Sequence, residues 1–338
     1  MSIKPPAIKR EKAVKEQESG LLTALRFVST TQNPEGSTYQ THVRLQHNWA
    51  LGFDGVLAAG HPIQEALLCC PHSSSLISAI TKCKTAISIT SLENGQLGVK
   101  AGRFKAFIPC VSGELIPLIY PDPKAGSIDD RLKEGFKVLA PWVKENTQNV
   151  ATSSILLNNG SMAATNRHVV LEYWHGINLP DNIILPKIFI DAVLKIDKKL
   201  AAFGYSERSF TVYYEDGSWL RTQQYQEGWP DVGFILNVQH NAQPVPEGFF
   251  EGVSMLQPFC KLHNDIYLLS DKITTNIEAE QGAHYDLAGL PEKVGFNAKY
   301  LCQLAEHVTH IDLQGVNKAS IFFGKNLRGA IAQVSIKD

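Results

Sequence analysis

The hydrophobic and polar positions along the chain follow one order of elements three times, at a period of about 105–115 residues. Each repeat begins with a helix-like stretch, continues through two alternating strands joined by a tight turn, adds an amphipathic helix and ends with another strand pair. Asp54, Asn166 and Asp271 stand at the tight turns, where such side chains bond nearby backbone. The pattern therefore predicts three similar α+β units.

The predicted helices and strands give the repeats their boundaries. The first helices are predicted at 19–30, 129–143 and 246–259, and the second helices at 73–83, 186–196 and 297–308. The first strand pairs are predicted at 49–59, 161–171 and 265–275, and the closing pairs at 86–109, 208–225 and 310–334. Connections rich in Pro and Gly lie at 121–127 and 241–248. We therefore expect an N-terminal extension (1–18) and three domains (19–120, 121–236 and 237–338).

Composition narrows the class of protein without naming it. The chain has 338 residues, of which 44% are apolar, so a sizeable core is expected. Its formal net charge of −1 argues against a protein that binds nucleic acid tightly and statically. A basic surface on a near-neutral protein remains compatible with this charge. No long apolar run or secretory signal is evident, and the six cysteines lack CxxC pairing, so we expect a cytoplasmic protein with reduced thiols.

Sequence motifs for catalysis, metal binding and nucleotide binding are weak. The segment GKNLRG (324–329) lacks the rest of a phosphate-binding loop, and no GxSxG or HExxH motif occurs. His307 and His310 at a helix end, and the adjacent thiols of Cys69 and Cys70, are poor metal-ligand patterns. We therefore predict no catalytic residue, no metal and no cofactor, and an α+β hydrolase remains a minor alternative.

Four segments carry a resemblance to a known family, namely VGFNAKYLCQLAEHV (294–308), EGWPDVGFIL (227–236), AATNRHVVL (163–171) and SIFFGKNLRGAIAQV (320–334). They resemble segments of the bacterial beta clamp, the DNA polymerase III beta subunit that acts as a DNA sliding clamp. The resemblance covers nearly all the chain beyond about residue 18 and suits a divergent, for example phage-encoded, member. It implies three clamp domains per chain, with helices lining a central hole and antiparallel sheets outside.

The resemblance implies a non-enzymatic processivity factor. Two subunits would close head to tail into a ring around duplex DNA, contact it without sequence specificity, and bind a DNA polymerase and a clamp loader through short peptides. The ring would work in the bacterial cytoplasm or nucleoid, or in host cytoplasm for a phage protein. The alternative is a clamp-like protein that binds replication partners without encircling DNA.

Basic residues on or beside the predicted helices would face the DNA in such a ring. Any one of them could simply belong to a solvated helix surface. Many cations spread over one surface, however, suit contact with phosphates that does not depend on base sequence. The predicted set is Arg26, Lys82, Lys84, Arg131, Lys133, Lys137, Lys187, Lys195, Lys198, Lys199 and Lys299.

The resemblance also implies a partner-peptide pocket between the second and third domains. The predicted set is Leu157, Thr165, Arg167, His168, Val169, Val170, Val245, Ile331, Gln333 and Val334. Val170 and Val334 are expected to form its apolar floor. The chain departs from the family at Arg167, where the family has Gly, and at Val169, where it has Arg. Asn237 replaces a Pro, and the tail QVSIKD is atypical, so altered peptide preference and loss of the pocket both stay open.

A head-to-tail interface is predicted from apolar residues near a strand edge. An exposed apolar edge would invite strand pairing with a second copy. The predicted contacts are Phe104, Phe107 and Ile108 in the first unit, with Leu256 and Phe259 in the third.

Overall fold

A computed structural model describes residues 20–83, 86–145, 148–261, 263–278 and 282–336. The chain divides into two compact units, with unit 1 ending at Ile119 and unit 2 beginning at Tyr120. The first sequence repeat lies in unit 1, and the second and third repeats lie together in unit 2. The predicted extension 1–18 lies outside the described residues, as does Lys84.

Unit 1 contains the first repeat in the predicted order. Its helices are α1 (Gly20–Val28), α2 (Thr38–Thr41) and α3 (Ser73–Thr81). Its strands are β1 (Arg44–Gln46), β2 (Trp49–Phe53), β3 (Leu57–Pro62), β4 (Cys70–Pro71), β5 (Ser88–Ser91), β6 (Gln96–Ala101) and β7 (Phe104–Val111). Strands β1, β2 and β3 pair antiparallel in that order, and a second sheet has the order β4-β7-β6-β5.

Unit 2 contains the other two repeats. Its helices are α4 (Arg131–Leu139), α5 (Val150–Ser153), α6 (Lys187–Lys195), α7 (Gly233–Leu236), α8 (Phe249–Leu256) and α9 (Ala298–Leu304). Strands of the second repeat are β8 (Lys124–Ser127), β9 (Ser154–Leu157), β10 (Ser161–Thr165), β11 (Val169–Trp174), β12 (Ile183–Pro186), β13 (Leu200–Ser206), β14 (Ser209–Tyr214) and β15 (Trp219–Gln223). The remaining strands are β16 (Gln243–Pro244), β17 (Asp265–Leu269), β18 (Lys272–Thr274), β19 (His284–Asp286), β20 (Val294–Asn297), β21 (Val308–Ile311), β22 (Ala319–Gly324) and β23 (Leu327–Ala332).

One eight-stranded antiparallel sheet joins the second and third repeats. Its order is β12-β9-β10-β11-β23-β22-β21-β16. The joining pair is β11 with β23, in register from Val169 opposite Ile331 to Tyr173 opposite Leu327. Two further sheets of unit 2 contain β15-β14-β13-β8 and β19-β18-β17-β20. Because the backbone ladder crosses from one repeat to the other, these repeats pack as one unit.

The two main helices of each repeat pack against each other, as α1 with α3, α4 with α6, and α8 with α9. Leu132, Phe136 and Leu139 of α4 are fully buried because a spacing of three or four residues places them on one helix face. Gly135 lets α4 approach the sheet closely, since a Cβ there would lie 2.7 Å from the Met162 side chain. The α+β class and the repeated helix order predicted from the sequence are confirmed.

The structure refines several predicted boundaries. The helices α4 and α8 give way to 3₁₀ turns that contain Pro141 and Pro258, which confirms the predicted ends. Each predicted closing pair has a third strand, and a short strand (β4, β12 or β20) directly precedes each second helix. The strands β4, β12 and β20 have only two to four residues, too few to show a convincing alternation in sequence. No helix among the described residues is long and apolar enough to cross a membrane.

Candidate functional site

The turn between β10 and β11 presents two side chains to solvent. Thr165 Oγ1 donates to the Val169 carbonyl at 2.8 Å, and Asn166 Oδ1 accepts from the backbone N–H groups of His168 (3.0 Å) and Val169 (2.8 Å). Arg167 occupies the left-handed region with φ 77°, and its backbone N–H donates to Thr165 Oγ1. This tight turn leaves the side chains of Arg167 and His168 exposed.

The start of α9 brings a second wall to the same place. Asn297 caps α9, since its Oδ1 accepts from Tyr300 N at 3.3 Å while its Nδ2 donates to the His263 carbonyl at 2.8 Å. The Tyr300 ring stacks on His168 with centroids 5.8 Å apart, and Trp142 backs Tyr300 at 6.0 Å. The β10–β11 turn and the first turn of α9 therefore form two sides of one groove.

The wider part of the groove, which we call the cationic cleft, has a volume of about 480 Å³. Its lining residues are Pro141, Trp142, Lys144, Gln148, Asn149, Thr152, Asn166, Arg167, His168, Asn264, Asn297, Lys299, Tyr300 and Gln303. Lys144, Arg167 and Lys299 have exposed side chains, and no Asp or Glu is among these described lining residues. The cleft therefore has positive electrostatic potential and suits an anionic group.

The groove continues into a second cleft of about 390 Å³ beside the end of the chain, which we call the tail cleft. It shares His168, Asn297 and Tyr300 with the cationic cleft, and its other lining residues are His263, Asp265, Ala332, Gln333 and Val334. Backbone bonds from Ala332 N to the His168 carbonyl (2.7 Å) and from Val334 N to the Gly295 carbonyl (2.8 Å) fix this wall. The tail cleft has no Lys or Arg among its described lining residues and offers apolar contacts from Ala332 and Val334.

Four of the predicted pocket residues line this groove, namely Arg167, His168, Gln333 and Val334. Thr165 is buried and supports the turn by its hydrogen bond. Val245 is half-buried and bonds through its backbone N–H to the Thr309 carbonyl.

The remaining predicted pocket residues are core residues. Leu157, Val169 and Ile331 are fully buried in strands of the eight-stranded sheet. Val170 packs with Leu236, Ile321 and Ala330, against half-buried side chains from the connection around α7. Val170 is not among the described lining residues of these two clefts, and the common floor of Val170 and Val334 stays a prediction.

Sequence reasoning missed Trp142, Asn297 and Tyr300. Asn297 carried a usable signal, because Asn immediately before an amphipathic helix is a favourable cap. Nothing local linked Trp142 to Tyr300, which lie in different repeats and meet only in the folded unit.

Some of the predicted DNA-facing residues have salt bridges or hydrogen bonds at their charged groups, and others are exposed. Lys187 pairs with Asp191 (2.6 Å), Lys198 with Asp216 (2.5 Å) and Arg131 with Asp129 (2.9 Å). Lys133 is half-buried and donates to the carbonyls of Ile196 and Lys198, and burial lowers the pKa of its ammonium group. The side chains of Arg26, Lys82, Lys137, Lys195, Lys199 and Lys299 are exposed. Lys299 lines the cationic cleft, whereas the others lie on or beside the paired helices.

The predicted interface residues also divide by exposure. Phe107 is 60% exposed and Phe259 is 64% exposed, whereas Phe104 is half-buried. Ile108 and Leu256 are buried in the chain's own core, so as packing residues they cannot present side chains to a partner. Strand β7 pairs with β6 along Phe104–Pro109, and β4 covers its other edge only at Cys110 and Val111. The edge beside Phe107 is therefore open among the described strands.

The repeated helix pairs and antiparallel sheets define the fold of the DNA sliding clamps. Among solved structures, the chain is similar to the DNA polymerase III subunit beta from Pseudomonas aeruginosa, with a TM-score of 0.79 at 14% identity. That match covers 94% of this chain and 98% of the Pseudomonas chain.

Two further clamps show the same likeness. The Bacillus subtilis DNA polymerase sliding clamp has a TM-score of 0.77 at 10% identity, over 94% of this chain and 97% of that one. The Helicobacter pylori beta clamp bound to a DNA ligase peptide has a TM-score of 0.73 at 14% identity, over 93% and 98%. No protein-family model and no curated protein sequence matches the chain. The likeness is therefore one of fold, at an identity too low to appear in sequence comparison.

Proposed function

We propose that the chain is one subunit of a DNA sliding clamp, a non-catalytic ring that encircles duplex DNA and tethers a polymerase and other partners. The observation that carries this proposal is the sliding-clamp fold, which extends over 94% of the chain rather than over one domain. A ring acts by topology, so the proposal requires no catalytic residue. Three domains per chain are proposed, and two chains would complete a six-domain ring.

The exposed basic residues of the helix pairs supply the DNA contact in this proposal. Lys137, Lys195 and Lys199 lie on or beside α4 and α6, which pack together. Long, solvated lysine side chains can follow phosphates without fixing one register, which a sliding contact requires. The ion-paired Lys187 and Lys198 contribute less, because their charges are already partly compensated within the subunit.

The groove of unit 2 is the proposed site for partner peptides. The Helicobacter pylori clamp with this fold was solved bound to a DNA ligase peptide, which supports peptide binding by the fold. In this chain, the groove combines aromatic walls with apolar contacts from the final strand. A polymerase and a clamp loader would each bind there through a short segment anchored by a few side chains.

Ring closure is proposed to use the open edge of β7. Phe107 on that edge and Phe259 after α8 are large apolar side chains left exposed on the single chain. Such residues at an open strand edge favour pairing with a second copy. We propose a head-to-tail dimer that places these two surfaces together. The protein would act in the bacterial cytoplasm or nucleoid, or in host cytoplasm if a phage encodes it.

An order-of-addition experiment tests encirclement without a clamp loader. Linear duplex DNA carries biotin at both ends, and streptavidin is added either before or after the protein, followed by a high-salt wash. A ring threads only over open ends, so we expect retention when the ends are blocked after the protein is added and loss when they are blocked first. Equal retention in both orders would favour the alternative, a clamp-like protein that does not encircle DNA.

Matched charge reversals test the DNA-facing surface in the same assay. Lys137→Glu with Lys199→Glu changes two exposed lysines of the helix pair, and we expect reduced trapping at low salt. Lys293→Glu with Lys325→Glu makes the same charge change in exposed turns and should leave trapping unchanged. Equal loss in both double variants would mean that net charge, rather than the helix surface, controls DNA contact.

A further inference from the structure

The cationic cleft concentrates charge that no described residue neutralises. Lys144, Arg167 and Lys299 make no ion pair or side-chain hydrogen bond with another residue in the described part of the chain. Their nearest lining neighbours include neutral amides and rings, with no carboxylate. Three exposed cations around one concave surface repel one another, so an anionic ligand would relieve that repulsion.

Arg167 adds a second observation, because its backbone is held in a conformation that its side chain disfavours. With φ 77°, it lies in the left-handed region, where an L-residue is strained and Gly is not. The exposed guanidinium makes no hydrogen bond or ion pair with another described residue that would offset this strain. Strained residues concentrate at ligand-binding positions, which makes the guanidinium a candidate ligand contact.

We propose that this groove selects a peptide that carries an acidic residue beside an apolar anchor. This inference rests on the proposed peptide-binding function of the groove and specifies the class of peptide. The acidic side chain lies in the cationic cleft against Arg167 and Lys299, where a guanidinium can bind a carboxylate with two parallel hydrogen bonds. The apolar anchor lies in the tail cleft against Ala332 and Val334.

The two clefts fix which part of the peptide goes where. Asp265 lines the tail cleft and disfavours a second carboxylate there, whereas the cationic cleft has no Asp or Glu among its described lining residues. The rings of His168 and Tyr300 stand between the clefts and can cover the peptide backbone that joins the two side chains. Charge and apolar surface are therefore separated along one groove.

A single-stranded nucleic acid is the other anionic polymer that could stack on aromatic rings. It would need cations along its backbone at both ends of the groove. The tail cleft offers no Lys or Arg among its described lining residues and contains Asp265. The distribution of charge therefore favours an acidic peptide over an oligonucleotide.

Fluorescence anisotropy with the full chain tests the proposal. The probes are labelled peptides with a Leu-Phe pair, a short glycine spacer and either Asp-Asp or Asn-Asn, made in both orders, together with a labelled oligothymidine. We expect one order of the acidic peptide to bind about tenfold more tightly than its Asn-Asn twin, which corresponds to about 1.4 kcal/mol. The difference should shrink at high salt, because solvent-exposed charges are screened.

Variants assign the selectivity to the cleft. Arg167→Gly and Lys299→Gln should each reduce the ratio of the two affinities, acidic peptide over Asn-Asn peptide, several-fold. Lys325→Gln, in an exposed turn outside the groove, is the matched control and should leave both peptides unchanged.

Several results would overturn the proposal. They are equal binding of the acidic and amide peptides, tighter binding of oligothymidine, or no binding of any peptide. Failure of DNA trapping in the order-of-addition experiment would reject the ring but leave acid selectivity measurable. Successful trapping with no acid preference would reject the selectivity and leave the ring intact, so the two proposals fail separately.

Discussion

The buried carboxylate of Asp122 offers the sharpest test of how unit 2 holds its first segment. Asp122 Oδ1 accepts a hydrogen bond from Ser209 Oγ at 2.7 Å, and Oδ2 accepts one from Thr211 Oγ1 at 2.8 Å. Arg221 Nε lies 3.5 Å from Oδ2, and the Tyr213 hydroxyl donates to the Asp122 carbonyl. These contacts fasten the chain just before β8 to strands β14 and β15.

Replacing this carboxylate by a methyl group should cost several kcal/mol. Each hydrogen bond to a charged acceptor contributes about 1.5–3 kcal/mol. Ser209 and Thr211 are fully buried, so their hydroxyl groups cannot bond to water instead. The substitution also leaves Arg221, whose side chain is 21% exposed, without its counter-charge. We therefore expect Asp122→Ala to lower the free energy of unfolding by about 3–5 kcal/mol.

Urea denaturation followed by fluorescence, with amide hydrogen exchange to locate the effect, measures this loss. Protection of the backbone amides from hydrogen exchange should fall first in β13, β14 and β15, which belong to the affected sheet. Glu207→Ala is the control, since Glu207 is exposed in the turn between β13 and β14 and should cost less than about 0.5 kcal/mol. A loss below about 1 kcal/mol for Asp122→Ala would refute the view that this network holds the segment.

Three further predictions concern strain, pH and assembly. Arg167→Gly should raise the free energy of unfolding by about 0.5–1 kcal/mol in urea denaturation, because relief of left-handed strain exceeds the extra chain entropy of Gly; a loss of stability would contradict this. Burial alone would raise the pKa of Asp216, but hydrogen bonds from Lys198 and Ser218 outweigh it and hold the pKa at about 2, below the ordinary 3.8. Because the folded pKa is depressed, this stability is present above about pH 4 and is lost as pH falls towards 2. The side chain is 40% exposed, so screening limits the effect to about 1 kcal/mol. The free energies of unfolding of Asp216→Asn and of the unchanged protein should converge as pH falls below about 2. Phe107→Asp should give monomers of 37.3 kDa in analytical ultracentrifugation, with Leu68→Asp as an exposed control that keeps the dimer; a dimeric Phe107→Asp would reject this interface.

The partners of the basic side chains show which ion pairs can be predicted from the sequence and which cannot. The pair of Lys187 with Asp191 is four residues apart on one helix, so it could be read from the chain. The pair of Lys198 with Asp216 depends on a hairpin that returns to the helix end, and the contacts of Lys133 depend on α4 packing against α6. A list of basic residues beside helices therefore includes cations whose charges are already engaged within the chain.

The sequence by itself determined the repeated order of helices and strands, the tight turns, and the helix ends at Pro141 and Pro258, because these follow from local spacing and backbone preference. Only the tertiary structure decided that β11 pairs with β23. That pairing places His168 of the β10–β11 turn beside Tyr300 in the first turn of α9, and so forms the groove. The tertiary structure also decided that Val170 is covered by packing while Arg167 is exposed. Neither result is local, since burial depends on which distant surface packs over a residue.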